Sequence, residues 1–208
     1  MNDVDAIMTL APVIPVLVVD DVAHARPIAE ALVAGGLPVL EVTLRTPVAL
    51  DAISEMTKVE GAVVGAGTVL NERDLDASLQ AGARFIVSPG LTEKLSKKAL
   101  ASGMPFLPGI ATAGDIMRGL DIGLNRFKFF PAVAAGGIPA LKALASPFPH
   151  CRFCPTGGIT QENASEWLAL DAVLCVGGSW LVPRGNLDPM TIAANARKSA
   201  TMQDWLES

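Results

Sequence analysis

The chain has 208 residues, half of them hydrophobic and 18% charged, and a formal net charge of −5. That composition excludes disorder and is enough for one substantial core, so a single domain over 1–208 is expected. No apolar run reaches the ~18 residues of a membrane span. Basic residues form no stripe and Tyr is absent, so neither a membrane nor a nucleic acid is an expected partner.

The start, Met1-Asn2-Asp3-Val4-Asp5, is acidic and lacks the basic region of a signal peptide, which makes the cytoplasm the expected setting. Cys151 and Cys154 fall in one extended run with no second pair or histidine to complete a zinc site. The three cysteines read as reduced thiols, with Cys154 and Cys175 as small core residues.

A short leading helix is expected over 4–10. A rhythm follows. Strand-like runs occupy 13–19, 38–44, 62–68, 84–90, 106–110, 126–132, 152–158 and 172–178. Between them, segments such as 25–34, 48–57, 72–81, 93–102, 114–120 and 162–170 have helical spacing. Gly35-Gly36, Gly82, Gly103 and Gly123 sit where helices end, and Asn71, Thr92 and Thr160 where they begin. A polar turn over 183–189 leads to a last helix over 190–207. Strand then helix, eight times at intervals of roughly 20–26 residues, predicts a closed (β/α)8 TIM barrel. The open doubly wound sheet is the alternative, but no glycine-rich dinucleotide fingerprint follows the first strand.

Barrel chemistry sits at the C-terminal ends of strands. The sixth run, Arg126-Phe-Lys-Phe-Phe-Pro131, holds a lysine among three phenylalanines. Desolvation disfavours an ammonium, and a neutral amine attacks ketones to form a Schiff base. The bland reading is that Lys128 snorkels from a strand end. In the second run, alternation puts Glu41, Thr43 and Arg45 on one face, as general base and carboxylate clamp or as a structural ion pair. Gly65 and Gly67 would permit close approach of a ligand backbone-side, beside the Thr68 hydroxyl; tight strand packing is the other reading. The tips Thr156-Gly157-Gly158 and Gly177-Gly178-Ser179 fit the usual barrel phosphate site. His24 and His150 read as surface residues. Neither they nor the carboxylates cluster at strand tips, so no metal is expected.

With those residues in place, the chain resembles the 2-keto-3-deoxy-6-phosphogluconate (KDPG) aldolases, which often also act on 4-hydroxy-2-oxoglutarate (KHG). The motifs are Leu40-Glu-Val-Thr-Leu-Arg45, Val64-Gly-Ala-Gly-Thr-Val69, Ser88-Pro-Gly-Leu-Thr92, Phe127-Lys-Phe-Phe-Pro-Ala132 and Arg152-Phe-Cys-Pro-Thr-Gly-Gly-Ile159. The resemblance runs from about Pro12 to about Pro183. It implies a class I aldolase without cofactor, with Lys128 as the Schiff-base lysine and Glu41 as general acid/base. It further implies carboxylate contacts from Arg45 and Thr68, and a phosphate near Gly157, Gly158 and Ser179. Pro89, Phe130, Thr156 and Gly178 complete the implied substrate-binding set. The implied partner is a phosphorylated keto sugar acid, and the implied assembly a homotrimer. One departure stands out: many relatives carry glutamate where this chain has Val133. Two rival readings use the same barrel, a metal-dependent sugar-phosphate epimerase or isomerase and a non-catalytic sugar-acid binding module.

Overall fold

The structure, a computed structural model, describes residues 4–182 and 187–203. The apolar runs form eight parallel strands: β1 (Val13–Leu17), β2 (Val39–Thr43), β3 (Val63–Gly67), β4 (Ile86–Ser88), β5 (Phe106–Ile110), β6 (Arg126–Phe129), β7 (Arg152–Pro155) and β8 (Val176–Gly178). Their order is β7-β6-β5-β4-β3-β2-β1-β8, and the parallel bridges Phe153↔Val173 and Thr156↔Gly177 bring the two ends together. The sheet is therefore a barrel, not the open alternative. Around it run α2 (Ala25–Ala34), α3 (Ala49–Met56), α4 (Glu72–Gln80), α5 (Glu93–Ala101), α6 (Ala113–Asp121), α7 (Gly137–Ala145), α8 (Ala164–Leu168) and α9 (Pro189–Ala200), with α1 (Val4–Thr9) leading the chain.

Alternation along each strand divides the core in two. Leu40, Val42, Phe127, Phe129 and Phe153 point outward, into the larger cluster shared with the helices. Ile14, Val39, Phe85, Val87, Leu107, Cys154 and Cys175 form a second cluster, which Ile7 and Met8 of α1 join. The leading helix thus plugs the N-terminal end of the barrel. Arg126 of β6 ties it down, pairing with the Asp5 carboxylate while also donating to the carbonyls of Asn125 and His150 at 3.2 Å.

Most differences from the expected elements lie at ends. Strands stop short of their tips because the tips turn. Residues 172–174 bridge to β7, so β8 begins only at Val176. The side chain of Asn71 caps α4, whereas Thr92 stands at the α5 N-cap without a side-chain bond. Thr160 does not cap α8; it lies one turn earlier, and Asn163 holds that place. Gly36, Gly82, Gly103 and Gly123 end helices at positive φ, as expected. Pro189 opens α9. The expected turn spans 183–189 and the expected last helix runs to 207; positions 183–186 and 204–207 lie outside the described residues. Among the described residues, no helix is long and apolar enough to cross a membrane.

Met8 is wholly buried. Met8→Ala should lower stability by about 2–5 kcal/mol, read as a shifted midpoint in urea denaturation with an unchanged m-value.

Candidate active site

Lys128 stands on the inward face of β6, level with Gly109 of β5 and Cys154 of β7. Glu41 stands on the inward face of β2, paired in register with Val16 and Gly65. The two meet across the barrel. Lys128 Nζ donates to Glu41 Oε1 at 2.9 Å and to Oε2 at 3.1 Å, with side-chain exposures of 7% and 4%. Phe130, two residues on and on the same face, places its ring centroid 5.5 Å from Nζ. Lys128 does not snorkel outward. The contact with Glu41 is direct, so the carboxylate is placed to take the amine's proton without an intermediary.

Glycines make the room for this pair. A Cβ on Gly67 would lie 2.3 Å from Glu41 Oε1, and one on Gly65 would lie 2.4 Å from the Phe85 ring. The space at these two glycines is filled by protein side chains, which corrects the expectation that a ligand approaches there. Gly177 likewise clears space for the Thr156 hydroxyl, which a Cβ would approach to 2.2 Å. Gly109 clears space for the Pro89 carbonyl, also at 2.2 Å. At Gly178 the ring of Trp180 occupies the space. Packing therefore explains the glycine at 178, and only its backbone is left to offer a ligand.

The tip of β2 is pinned to β1. Thr43 Oγ1 donates to the Leu17 carbonyl at 2.8 Å, and Thr46 Oγ1 to the Val19 carbonyl at 2.6 Å. Between them Arg45 is exposed, and its Nε donates to Thr68 Oγ1 at 3.3 Å. Thr68 has φ +59°, a conformation that β-branched residues avoid and that costs on the order of 1–3 kcal/mol. Hydrogen bonds on both sides hold it there: Leu44 N to Gly67 O at 2.8 Å, and Val69 N to Val87 O at 3.2 Å.

On the far side of the mouth, Gly157 and Gly158 have φ of +102° and +79°. The chain after β6 is stitched to them, with Ala132 N donating to Thr156 O at 2.8 Å and Val133 N to Gly157 O at 3.0 Å. Val133, the departure from the resembled pattern, packs directly over Gly158, where a Cβ would come within 2.7 Å of the valine Cβ. Ser179 is exposed at the tip of β8, and Pro89 half-buried at that of β4.

Beside the lysine, on β7 and just before β8, sit two thiols, Cys154 and Cys175. The Cys175 thiol is pushed well above the usual range by its hydrogen bond with Cys154, by burial, and by the charges of Cys154 and Glu41. Cys154, Cys175 and Cys151 are all free and buried. Among the described residues, no three His, Cys, Asp or Glu side chains gather as metal ligands would. A groove of about 520 Å³ between Leu141, Phe148, Arg152 and Leu170 lies at the opposite end of β7, away from Lys128.

Sequence reasoning placed Thr43 on the face of Glu41 without giving it a task, and it missed Thr46, Trp180 and the thiol pair. Hydroxyls following the Glu41 position were the available signal for the threonines; nothing local foretells that Trp180 folds back over Gly178.

A lysine in contact with a carboxylate at the C-terminal mouth of a parallel barrel, ringed by a guanidinium and glycine tips, is equipment for imine chemistry on a small anionic carbonyl compound. A family model described as "Aldolase: KDPG and KHG aldolase" matches residues 4–195, and the chain belongs to that family. It is 56% identical over 185 residues to the KHG/KDPG aldolase of Escherichia coli K12, covering 88% of this chain and 87% of the relative. The solved KDPG aldolase of Zymomonas mobilis ZM4, crystallised with 3-phosphoglycerate, is 59% identical with TM-score 0.95, covering 97% of each chain. That of Legionella pneumophila, with pyruvate captured as a covalent carbinolamine intermediate, is 45% identical with TM-score 0.92, covering 95% of this chain and 98% of that one.

Gly67→Ala should displace the Glu41 carboxylate from Lys128. Lyase activity is expected to fall at least tenfold, a loss of about 1.4 kcal/mol in transition-state stabilisation, with the circular dichroism spectrum unchanged.

Proposed function

We propose that this chain is a class I aldolase that cleaves KDPG to pyruvate and glyceraldehyde 3-phosphate. The observation that carries the reading is the buried contact of 2.9 Å between Lys128 and Glu41. It supplies both a nucleophile and the base that frees it.

The keto acid's carboxylate binds the Arg45 guanidinium, whose planar fork suits bidentate contact, with the Thr68 hydroxyl beside it. Glu41 takes a proton from Lys128, and the neutral amine attacks C2. The carbinolamine loses water as Glu41 returns the proton to the departing hydroxyl, leaving an iminium. Glu41 then accepts the C4 hydroxyl proton. The C3–C4 electron pair flows into the iminium, giving an enamine, and glyceraldehyde 3-phosphate departs. Protonation of the enamine at C3 and hydrolysis of the imine release pyruvate and restore the amine.

The phosphate is assigned to the mouth of β7 and β8. Gly157 and Gly158 turn the loop at positive φ, and since Val133 takes the side-chain space over Gly158 it is the loop backbone that is left to meet a dianion, with the Ser179 hydroxyl at the neighbouring tip. The 3-phosphoglycerate of the Zymomonas structure has the three-carbon phosphate skeleton of the aldehyde product, which supports a phosphorylated three-carbon product. Pro89, Phe130, Thr156 and Gly178 are assigned to the walls. The Phe130 ring centroid lies 5.5 Å from the amine, where the ring keeps bulk water from the imine.

A second substrate is favoured by the name of the Escherichia coli relative, KHG/KDPG aldolase. KHG offers the same keto acid end and would yield pyruvate and glyoxylate, with the phosphate site empty. The family reading also brings a homotrimer, a cytoplasmic setting and a place in sugar-acid breakdown by the Entner–Doudoroff route.

Borohydride added with pyruvate should leave a reduced pyruvyl adduct on the Lys128 peptide in mass spectrometry; an unmodified peptide in inactivated enzyme would sink the proposal. Glu41→Gln should keep the fold and slow KDPG cleavage by about 10²–10⁴-fold, in an assay coupled to pyruvate release. A rate within threefold of wild type would remove Glu41 from the mechanism.

A further inference from the structure

Asn163 precedes α8, but its side chain does not cap that helix. It reaches backward. Its Oδ1 accepts from Thr160 N at 2.9 Å, and its Nδ2 donates to the Gly158 carbonyl at 3.4 Å. The two bonds span the turn Gly158-Ile159-Thr160, directly after the consecutive positive-φ glycines Gly157 and Gly158. This is the reciprocal half of a capping box, in which an amide or acid side chain reaches back to the first amide of the turn. A completed box stands at α6, between Thr112 and Asp115. Here the box has been used on a loop.

The opposite edge of the same loop is held by the chain that follows the lysine strand, through Ala132 N to Thr156 O and Val133 N to Gly157 O. That pairing stops at Gly157. Gly158 has no such support, is exposed, and belongs to the one residue type that adopts either sign of φ at little cost. Its peptide plane is therefore the soft point of the loop. If that plane turned over, a carbonyl oxygen would replace an N–H on the face offered to an anion. Asn163 draws the Gly158 carbonyl toward itself. Because the peptide is trans and planar, the Ile159 N–H is thereby aimed away from Asn163.

We infer that Asn163 is a positioning residue for the phosphate of the substrate: it fixes the Gly158–Ile159 peptide so that the loop presents donors, not an acceptor, to a dianion. This rests on the assignment of the loop as the phosphate site. Asn163 touches neither the lysine nor the carboxylate, so its effect belongs to the phosphorylated end of the substrate alone.

The test compares KDPG with the unphosphorylated KHG in wild type, Asn163→Ala and Asn163→Gln, with inorganic phosphate as a competitor. In Asn163→Ala, the ratio of kcat/KM for KDPG to that for KHG should fall by about 3–10-fold, the worth of one or two hydrogen bonds. The fall should appear in KM for KDPG, and the inhibition constant of inorganic phosphate should rise in parallel. Asn163→Gln, which keeps donor and acceptor on a side chain one methylene longer, should recover much of the ratio. Equal losses on both substrates would mark a general structural role and overturn the inference, as would an unchanged ratio. Should the alanine variant fold poorly, Asn163→Ser, which is neutral and lacks the amide fork, is tested in its place, and the same selective loss is required of it. A wild-type enzyme that shows no preference for KDPG and no competition by phosphate would overturn the phosphate assignment itself, and is thereby distinguished from failure of the Asn163 inference alone.

Discussion

The rest of the structure depends on one contact, an amine and a carboxylate brought together inside a nearly dry barrel. Such a pair is a poor choice for stability. Removing two charges from water costs several kcal/mol per ion, and well-packed apolar residues in their place are often neutral or more stable by about 1–4 kcal/mol. The chain instead spends three devices on keeping the pair. Gly67 vacates the volume that the Glu41 carboxylate fills. Helix α1 closes the barrel beneath, with Ile7 and Met8 packed into the inner cluster and Asp5 paired to Arg126, two residues before the lysine on the same strand. Phe130 lies beside the amine above. A feature so expensively maintained in a core is better accounted for by chemistry than by folding.

The mouth around the pair has two sides, each rigid for its own reason. On the β2–β3 side, the hydroxyls of Thr43 and Thr46 hold β1 and β2 together, and flanking ladder bonds hold Thr68 at a strained φ that turns it toward Arg45. On the β6–β7 side, backbone bonds after the lysine strand carry the barrel pairing out into the glycine loop. On the proposed mechanism, the first side receives the carboxylate common to all substrates, and the second receives the group that distinguishes them. On that mechanism, the separation of the two would let KDPG and KHG share one lysine.

Much of this was legible in the sequence, for a physical reason. Strand alternation is a strict period of two, so Glu41 and Arg45 could be put on one face before any coordinates, and the strand-helix rhythm told the barrel from its length and spacing. The candidate site residues came through motifs that resemble a known family, and among them the structure brings Lys128 to Glu41 and Arg45 to Thr68. What stayed hidden depends on contacts between distant segments. Gly65 and Gly67 read as room for a ligand because sequence cannot say which neighbouring side chain will fill the space; Phe85 and Glu41 fill it. Thr160 read as a helix cap because the local pattern is that of a cap, but a turn intervenes and Asn163 takes its amide. The role of α1 as a plug follows only from closure of the barrel, since the inner cluster exists only once all the strands have met.

The most direct measurement is a crystal structure of the protein after soaking with pyruvate at a pH low enough to slow turnover. The account predicts continuous density from Lys128 Nζ to C2 of the keto acid, its carboxylate against Arg45 and Thr68, and the Glu41 carboxylate within hydrogen-bond distance of the new C2 substituent. Pyruvate lying unbonded to Lys128 with the Lys128–Glu41 contact intact, or bound at any other amine, would contradict it.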